Sequence, residues 1–583
     1  MLASIQRGLK TIPTWAWLLL ACALIFGTNL TAYPLFDVDE PRYVQTAVEL
    51  ITRNDWITPH FNDVTRFDKP IFYYWLIAGF YKLFGVSELA GRLVSALSAT
   101  TIVMTLYAVG RRVINNRTLG WMSACVLMTT TIFVLLGRWA ITDMTLACWM
   151  SLTCVFLFVA LAQPQQTLKP YIWAGVFCGL GLLTKGPVAI VLPGSISVVY
   201  LLLAQRNHLM RLLNWRLWGA VALGIVIALP WYLAINAANP KVFFESFFLL
   251  HNLQRYTETV SSHAGPWHYY IWVVLLGAFP WSLTFISLFK QGLNQLLTHV
   301  CSQNFNKDNG ISSTQWVLFG FAWFITTVLF FSVAQTKLLT YILLAFPGLA
   351  IIIASGLHHW IENENTLKPK HSLTVVVTIA AVLITLFGLF LLNVFPMTLN
   401  SVLSKWPLKD VLLKTIGVES VLMLVGLIWV TVITVLVFNT QQHFKNAFCA
   451  AITGCGLVIL CFNFVLLPKV AQLLQGDVHS YGLMARGNNV TLATFKLKRP
   501  SLVFYSQKHV YFLPAPEGDD NISPATAQDL YFSPQPVYLV ARTKDFGKLK
   551  EMTDFTVLKQ GAYFSLVLPK NPHKLALRRD VNQ

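Results

Sequence analysis

The chain has 583 residues, of which 55% are hydrophobic and only 12% charged, with a mean hydropathy of +0.59 and a formal net charge of +18. The length alone would suggest several soluble domains. Apolar runs of about 20 residues recur along most of it, however, and mark a polytopic helical membrane protein, because in hydrocarbon each segment must satisfy its own backbone polar groups. The runs are too long and too uniformly apolar for barrel strands, and the net charge is no nucleic-acid footprint, because many Lys and Arg residues sit in short loops beside the runs, where orientation bias and anionic lipid account for them.

Arg7 and Lys10 precede an apolar stretch that no small-x-small cleavage site follows, so an uncleaved first span is expected rather than a signal peptide. The following spans are expected near 92–111, 118–136, 141–162, 170–184, 187–204, 216–236, 268–289, 314–333, 338–356, 373–395, 417–438 and 447–467; with the first at 15–31 this makes about thirteen. The run 71–84 is too short to cross and reads as re-entrant or interfacial. Eight cysteines fall in spans and Cys301 in a loop, without zinc or redox spacing, so no disulfide framework is expected.

With the N-terminus in the cytoplasm, the inner loops carry Arg111, Arg112, Arg117, Lys169, Arg206, Arg211, Arg216, Lys290, Lys307, Lys368, Lys370 and Lys445, as positive-inside bias predicts. The outer side then holds residues 36–70, the turn 137–139 before Asp143, Thr184-Lys185-Gly186-Pro187, the loop 237–267 and the turn 335–337. Each brings a charge to the membrane boundary, and the basic ones do so against the bias. A charge in mid-membrane costs about 2.5–3.5 kcal/mol on insertion scales, so a gathering of charges at span ends suggests a site. Within 36–70, Val44, Ala47, Val48 and Ile51 recur at helical spacing while Gln45, Glu49 and Arg53 point elsewhere, which predicts an amphipathic surface helix.

After Pro468 the composition changes. Strands are expected at 490–495, 501–505, 509–513, 537–541 and 563–568, a helix at 545–552, and a linker or first turns at 477–489. The expected organisation is a transmembrane domain, 1–467, whose first outer loop is 32–91, followed by a small α/β domain outside the membrane, 468–583.

The outer set combines carboxylates (Asp37, Asp39, Glu40, Asp68, Asp143) with cations (Arg42, Lys69, Arg138, Lys185, Arg255, Lys337). Such a mixture at a water–lipid boundary suits a substrate with a lipid tail and a phosphate head. The cations would grip the phosphate and stabilise it as a leaving group, and a carboxylate would orient or deprotonate the acceptor. No nucleotide-binding motif is present, so a nucleotide sugar is not the expected direct donor. Structural alternatives stand beside these roles: Asp39 as a helix cap, Asp143 as an ion-pair partner of Arg138, Lys185 as a snorkelling side chain, and the Trp/Tyr cluster at 267–272 as an interfacial belt.

In order, the chain carries DEPRY (39–43), DWITPHF (55–61), RFDKPIFYYW (66–75), an acid at the outer end of a span (Asp143), LLTKGP (182–187), LPWYLAI (229–235), LQRY (253–256), HAGPWHYY (263–270), FPW (279–281) and FFSVAQTKLLTYIL (330–343). This series, running from about residue 15 to 356, resembles the bacterial lipid A aminoarabinose transferases. They belong to the GT-C membrane glycosyltransferases, which also include the protein O-mannosyltransferases. The resemblance implies a multi-pass inner-membrane enzyme with its site and C-terminal domain on the periplasmic side. It implies transfer of 4-amino-4-deoxy-L-arabinose from undecaprenyl phosphate to lipid A. The alternatives are transfer from such a carrier to protein, another lipid or a polysaccharide, and, more remotely, transport of lipid or sugar; a transporter should place charges mid-span in two repeated halves, and no such repeat is seen.

By the same resemblance, Asp39 matches the acid taken as essential for catalysis, Glu40 and Arg42 complete its motif, and Asp143 matches a second functional acid. Lys69 and Arg255 match ligands of the carrier phosphate, and Lys337 and Tyr341 match a segment near the same cavity; Lys185 joins the expected phosphate-binding set. The family often has Phe-Glu-Lys where this chain has Phe67-Asp68-Lys69, which keeps the charge and shortens its reach. No cofactor is required, and a divalent metal held by Asp68 and His251 is the metal reading left open.

Overall fold

A computed structural model describes residues 13–162, 167–204, 206–240, 243, 245, 247, 265–282, 311–362, 378, 382, 418–440, 444–513, 533, 535–551, 553–561 and 563–571. All but residues 378 and 382 of the span expected at 373–395, the loop carrying Cys301, and Arg255 and His251 lie outside the described residues. The chain packs as two compact units. Among the described residues, the first comprises 13–28, 93–362 and 418–463, and the second comprises 29–92 and 464–571.

The first unit is helical. Long uninterrupted apolar sequence gives helices, and among the described residues six (Glu88–Arg112, Thr142–Ala162, Trp215–Ala238, Ser313–Val333, Leu339–His359 and Lys445–Gly487) are long and apolar enough to cross a membrane. Thr14–Gly27, Val188–Ala204 and Leu422–Val435 are shorter apolar helices. The single span expected at 118–136 is instead two helices, Arg117–Met128 and Thr131–Gly137, bent by 69°. The break has a local cause. Thr129 and Thr130 turn their hydroxyls back to the carbonyls of Cys125 (2.7 Å) and Val126 (2.8 Å), and Trp281 Nε1 donates to Thr129 Oγ1 at 3.0 Å. Thr131 N then bonds Phe279 O at 3.1 Å, so the ladder is satisfied outside the helix.

The second unit joins the first outer loop to the C-terminal segment. Asp39–Arg53 is a helix, as its spacing predicts. Its polar face is nevertheless buried as well, with Gln45 at 7% and Glu49 at 6% exposure. The reason is a hairpin of β1 (His60–Phe61) and β2 (Val64–Thr65), whose Asn62 and Asp63 both take positive φ, at 54° and 69°. Glu49 accepts from Asn62 N (2.7 Å) and Asp63 N (3.2 Å), so it holds the turn rather than facing water. Phe72–Phe84 is a 13-residue helix, short as expected, that buries Tyr73, Tyr74, Ile77 and Tyr81.

In the C-terminal segment, β3 (Thr491–Phe495), β4 (Val510–Leu513), β5 (Val537–Arg542), β6 (Phe555–Gln560) and β7 (Phe564–Pro569) form one sheet in the order β4-β3-β5-β7-β6. The first three are parallel, and β7 and β6 run antiparallel to their neighbours. Residues 501–505, expected as a strand, are a helix, Ser501–Ser506. Pro500, at φ −56°, presets the helical turn, and the run that follows is buried on every side, so periodicity could not tell strand from helix. Of the linker or first turns expected at 477–489, most is the end of the helix Leu467–Gly487, and the exposed strand β6 is not among the expected strands.

The outer loop and the sheet share a core. Phe61 packs with Val478, Tyr481, Leu492, Leu502, Val510 and Phe564. The Asn62 amide continues the sheet edge, donating to Val510 O and accepting from Val510 N, both at 2.9 Å. The loop from the start of the chain is therefore part of the fold of a segment more than 400 residues later.

Candidate functional site

Each unit brings acids and bases together. In the second unit the organising group is the buried Arg92 guanidinium. Its Nη1 donates to Leu30 O (2.7 Å) and Tyr33 O (3.0 Å), and its Nη2 to Pro34 O (3.0 Å). Its Nε and Nη2 hold the two Glu40 oxygens at 2.9 and 2.8 Å, and Phe36 N donates to Glu40 Oε2 at 2.8 Å. Residues 30–40 are thereby tied to one cation, and Glu40, 1% exposed, is engaged in that tie.

Asp37 lies on the other side of the same turn. Its Oδ1 accepts from Ser501 N at 2.9 Å and its Oδ2 from Ser501 Oγ at 2.6 Å, with Arg499 Nη1 3.6 Å away. Burial raises the Asp37 carboxyl to about 6, although Ser501 and Arg499 pull the other way. Asp39, in the first helical turn, is exposed. The N-cap position of this helix is Val38, not Asp39. The Asp39 charge is felt by Arg42 and Lys498.

Around it lie further charges. Arg66 donates to Asp68 Oδ2 at 2.6 Å and stands over the Tyr43 and Phe61 rings; burial opposes its charge, but Asp68 together with Tyr74 and Tyr43 raises its pKa. Lys69 is buried and donates to Asp68 O at 2.9 Å. Burial and the neighbouring Arg66 lower Arg42 to about 10. Burial, then Arg42 and Arg66, lower Lys498 to about 7, against Asp39 and Asp68. Arg42, Arg66, Lys69, Lys498 and Arg499 thus share a region with Asp37, Asp39 and Asp68, an excess of positive charge suited to a phosphate.

Lys498, Arg499 and Ser501 were missed at the sequence level. The signal that could have found them is the run Lys496-Leu497-Lys498-Arg499, a basic cluster expected outside the membrane, against orientation bias.

In the first unit, Asp143 opens the helix Thr142–Ala162 and pairs with Lys185, which closes the helix Lys169–Lys185; Nζ lies 2.5 Å from Oδ1 and both side chains are largely buried. Lys185 Nζ also sits 4.6 Å from the centre of the Tyr341 ring. Arg138, the alternative partner of Asp143, is turned away, donating to Ile25 O (2.6 Å) and Thr28 O (2.7 Å). Lys337 is buried and donates to Phe331 O, Ser332 O and Ala334 O at 3.3, 2.6 and 2.5 Å, so it caps the C-terminal end of Ser313–Val333. Burial lowers its pKa. Beside the Lys185 helix end, Leu182, Pro187, Ile190, Leu229, Tyr232, Leu233 and Phe243 line an apolar cavity of about 480 Å³.

Of the two metal ligands read from the sequence, His251 lies outside the described residues. Asp68 accepts from the Arg66 guanidinium, and among the described residues no group of three His, Cys, Asp or Glu is close enough to share an ion.

Residues 68–233 match the family described as dolichyl-phosphate-mannose-protein mannosyltransferase. Two curated relatives are named undecaprenyl phosphate-alpha-4-amino-4-deoxy-L-arabinose arabinosyl transferase. The one from Shewanella sediminis is 32% identical over 57% of this chain and 57% of its own length, and the second of the Pseudomonas fluorescens enzymes so named is 30% identical over 65% and 62%. The chain therefore spans about three fifths of the length of the curated relatives it matches. Over nearly the whole chain the fold is that of the crystal structure of ArnT from Cupriavidus metallidurans bound to undecaprenyl phosphate, with a TM-score of 0.76 at 21% identity over 95% of this chain and 97% of that one.

Proposed function

We propose that the chain is an ArnT-like integral membrane glycosyltransferase that moves 4-amino-4-deoxy-L-arabinose from undecaprenyl phosphate to lipid A. In this reading about thirteen spans cross the inner membrane, and the second unit lies on the periplasmic side. The observation that carries it is the pairing of an exposed acid, Asp39, with a surplus of buried and half-buried cations in one unit. It is supported by the Asp143–Lys185 pair flanking an apolar cavity in the other.

The bond between the anomeric carbon and the carrier phosphate breaks, and one from the same carbon to an acceptor phosphate oxygen forms. Negative charge develops on the departing carrier phosphate. Lys69, Arg42 and Lys498 neutralise it, with Arg255 as a further ligand, and this lowers the barrier most where water is excluded. An acceptor that is already a phosphate anion needs little deprotonation. Asp39 therefore orients the sugar and answers positive charge at the anomeric carbon. Asp143, paired with Lys185, is the acid assigned to the first unit. In the first unit Lys185 is the candidate phosphate ligand, and the apolar cavity beside its helix end suits a prenyl chain. Glu40 and Lys337 act by holding backbone in place.

The test is mass spectrometry of envelope lipids from cells with and without the gene. Addition of one aminopentose to lipid A only when the chain is present is the expected result. Unchanged lipid A together with a sugar appearing on protein would move the assignment to the mannosyltransferase-like branch of the same chemistry.

A further inference from the structure

Apart from the Asp143–Lys185 pair, the first unit holds another cavity, of about 550 Å³, lined by Tyr107, Arg111, Arg117, Trp121, Lys445 and Phe448 among others, with no carboxylate among the described residues of its wall. Its three cations come from three elements. Arg111 is in the last turn of Glu88–Arg112, Arg117 opens Arg117–Met128, and Lys445 lies in the first turn of Phe444–Cys461.

The first two helices are brought together by glycines. A Cβ on Gly110 would lie 2.3 Å from Gly120 Cα, so only glycine allows the backbones to touch and sets Arg111 near Arg117. The Trp121 and Phe448 rings meet edge to face at 5.4 Å and give the cavity an apolar floor.

Orientation bias explains why basic residues gather at this end of the bundle. It does not explain their placement. Arg117 and Lys445 stand in first helical turns that carry no acid, where the helix dipole already supplies positive charge. None of the three cations forms an ion pair among the described residues. Mutual repulsion of this kind is relieved by an anion, and the aromatic floor suits one attached to apolar chains.

We propose that this cavity is a binding site for the phosphate headgroup of an anionic phospholipid, held by Arg111, Arg117 and Lys445 with its upper acyl carbons against Trp121 and Phe448. The site is separate from the transferase groups and does not rest on the reading of their chemistry. Basic pockets between helices at a membrane boundary are suited to such headgroups, and each Lys or Arg contributes about fivefold in affinity near an anionic surface.

The experiment uses the full-length protein in detergent. Thermal stability and native mass spectrometry are followed during titration with phosphatidylglycerol or cardiolipin, with phosphatidylethanolamine, and with inorganic phosphate. Anionic lipid should raise the melting temperature and leave a discrete bound lipid, while the other two should not. R111Q/R117Q/K445Q should weaken binding roughly a hundredfold on the same per-residue scale, whereas Arg112→Gln, a neighbouring exposed cation outside the cavity wall, should leave it intact. Equal response to phosphatidylethanolamine, equal loss in Arg112→Gln, or undiminished anionic-lipid binding by the triple variant would each overturn the site. Saturation by inorganic phosphate alone would assign it to a free phosphate and overturn the lipid. If the triple variant is unfolded without lipid, the single variants Arg117→Gln and Lys445→Gln carry the same test, each expected to lose about fivefold.

Discussion

Glu40 offers the sharpest separation between a residue that does chemistry and one that holds the chemistry in place. It sits beside Asp39, but its carboxylate is 1% exposed and bonds the Arg92 guanidinium through both oxygens. Glu40→Gln keeps the shape and one acceptor but removes the charge. Arg92, fully buried, would then keep its cation with the carbonyls of Leu30, Tyr33 and Pro34 and the one remaining amide oxygen, but without its counter-charge. Breaking a buried pair from one side costs about 3–5 kcal/mol, and the surviving acceptor places this variant toward the lower end. Against a total stability of about 5–15 kcal/mol for a typical domain, that is a large fraction. We expect Glu40→Gln to lower the melting temperature of the purified protein by several degrees, and activity to fall in step with the folded fraction. The double variant E40M/R92M, which removes both charges, should be less destabilised than the sum of the single changes, the mark of a coupled pair. A Glu40→Gln protein that melts like the parent yet transfers no sugar would refute this reasoning and return Glu40 to the catalytic set.

Asp39→Asn should abolish transfer while leaving the melting temperature within about 1 °C, because an exposed surface change away from packed features costs little; retained activity would remove Asp39 from its role. Asp143→Asn should abolish transfer and also cost stability, since Lys185 would be left in a largely buried position without its counter-charge, and a melt unchanged by the substitution would contradict the pair. Lys498, lowered to about 7 by burial and by Arg42 and Arg66, loses its charge as pH rises through 7. Donor affinity should therefore weaken above pH 7, Lys498→Arg should flatten that dependence, and Lys498→Met should bind weakly at every pH; a pH profile identical in all three would rule the residue out. Asp37, raised to about 6 from 3.8, favours folding fully below about pH 4, and that contribution is lost as pH rises through 6. The shift is worth about 3 kcal/mol. The stability difference between parent and Asp37→Asn should change across pH 4–6 by an amount of that order, and a constant difference would show the carboxyl is not buried as described.

What the sequence disclosed and what it withheld follow from how far apart in the chain the partners lie. Apolar length is a local property, so the helical membrane architecture and most helix positions were legible. The bend at Thr129–Thr130 was not, because it depends on partners some 150 residues away, the Trp281 indole N–H donating to Thr129 and the Phe279 carbonyl accepting from Thr131. Asp143 was legible as a charge at a span end, yet its partner was not. Arg138, five residues before it, seemed the natural candidate, but its guanidinium is spent on the carbonyls that end the first apolar helix, and Lys185 takes the carboxylate. The DEPRY turn was legible as a motif, while its dependence on the C-terminal segment was hidden in a contact between residues 464 positions apart, Asp37 and Ser501. That contact changes the reading of the whole loop. A carboxylate without side-chain bonds can remain beside buried guanidinium groups only if the backbone carrying it is fixed from both sides, by Arg92 within the loop and by Ser501 and Arg499 from the sheet. The C-terminal segment is therefore not an appendage whose loss should spare the loop. It supplies one wall of the charged cluster, and the strength with which that wall holds Asp37 sets how well Asp39, two residues on, can be aimed.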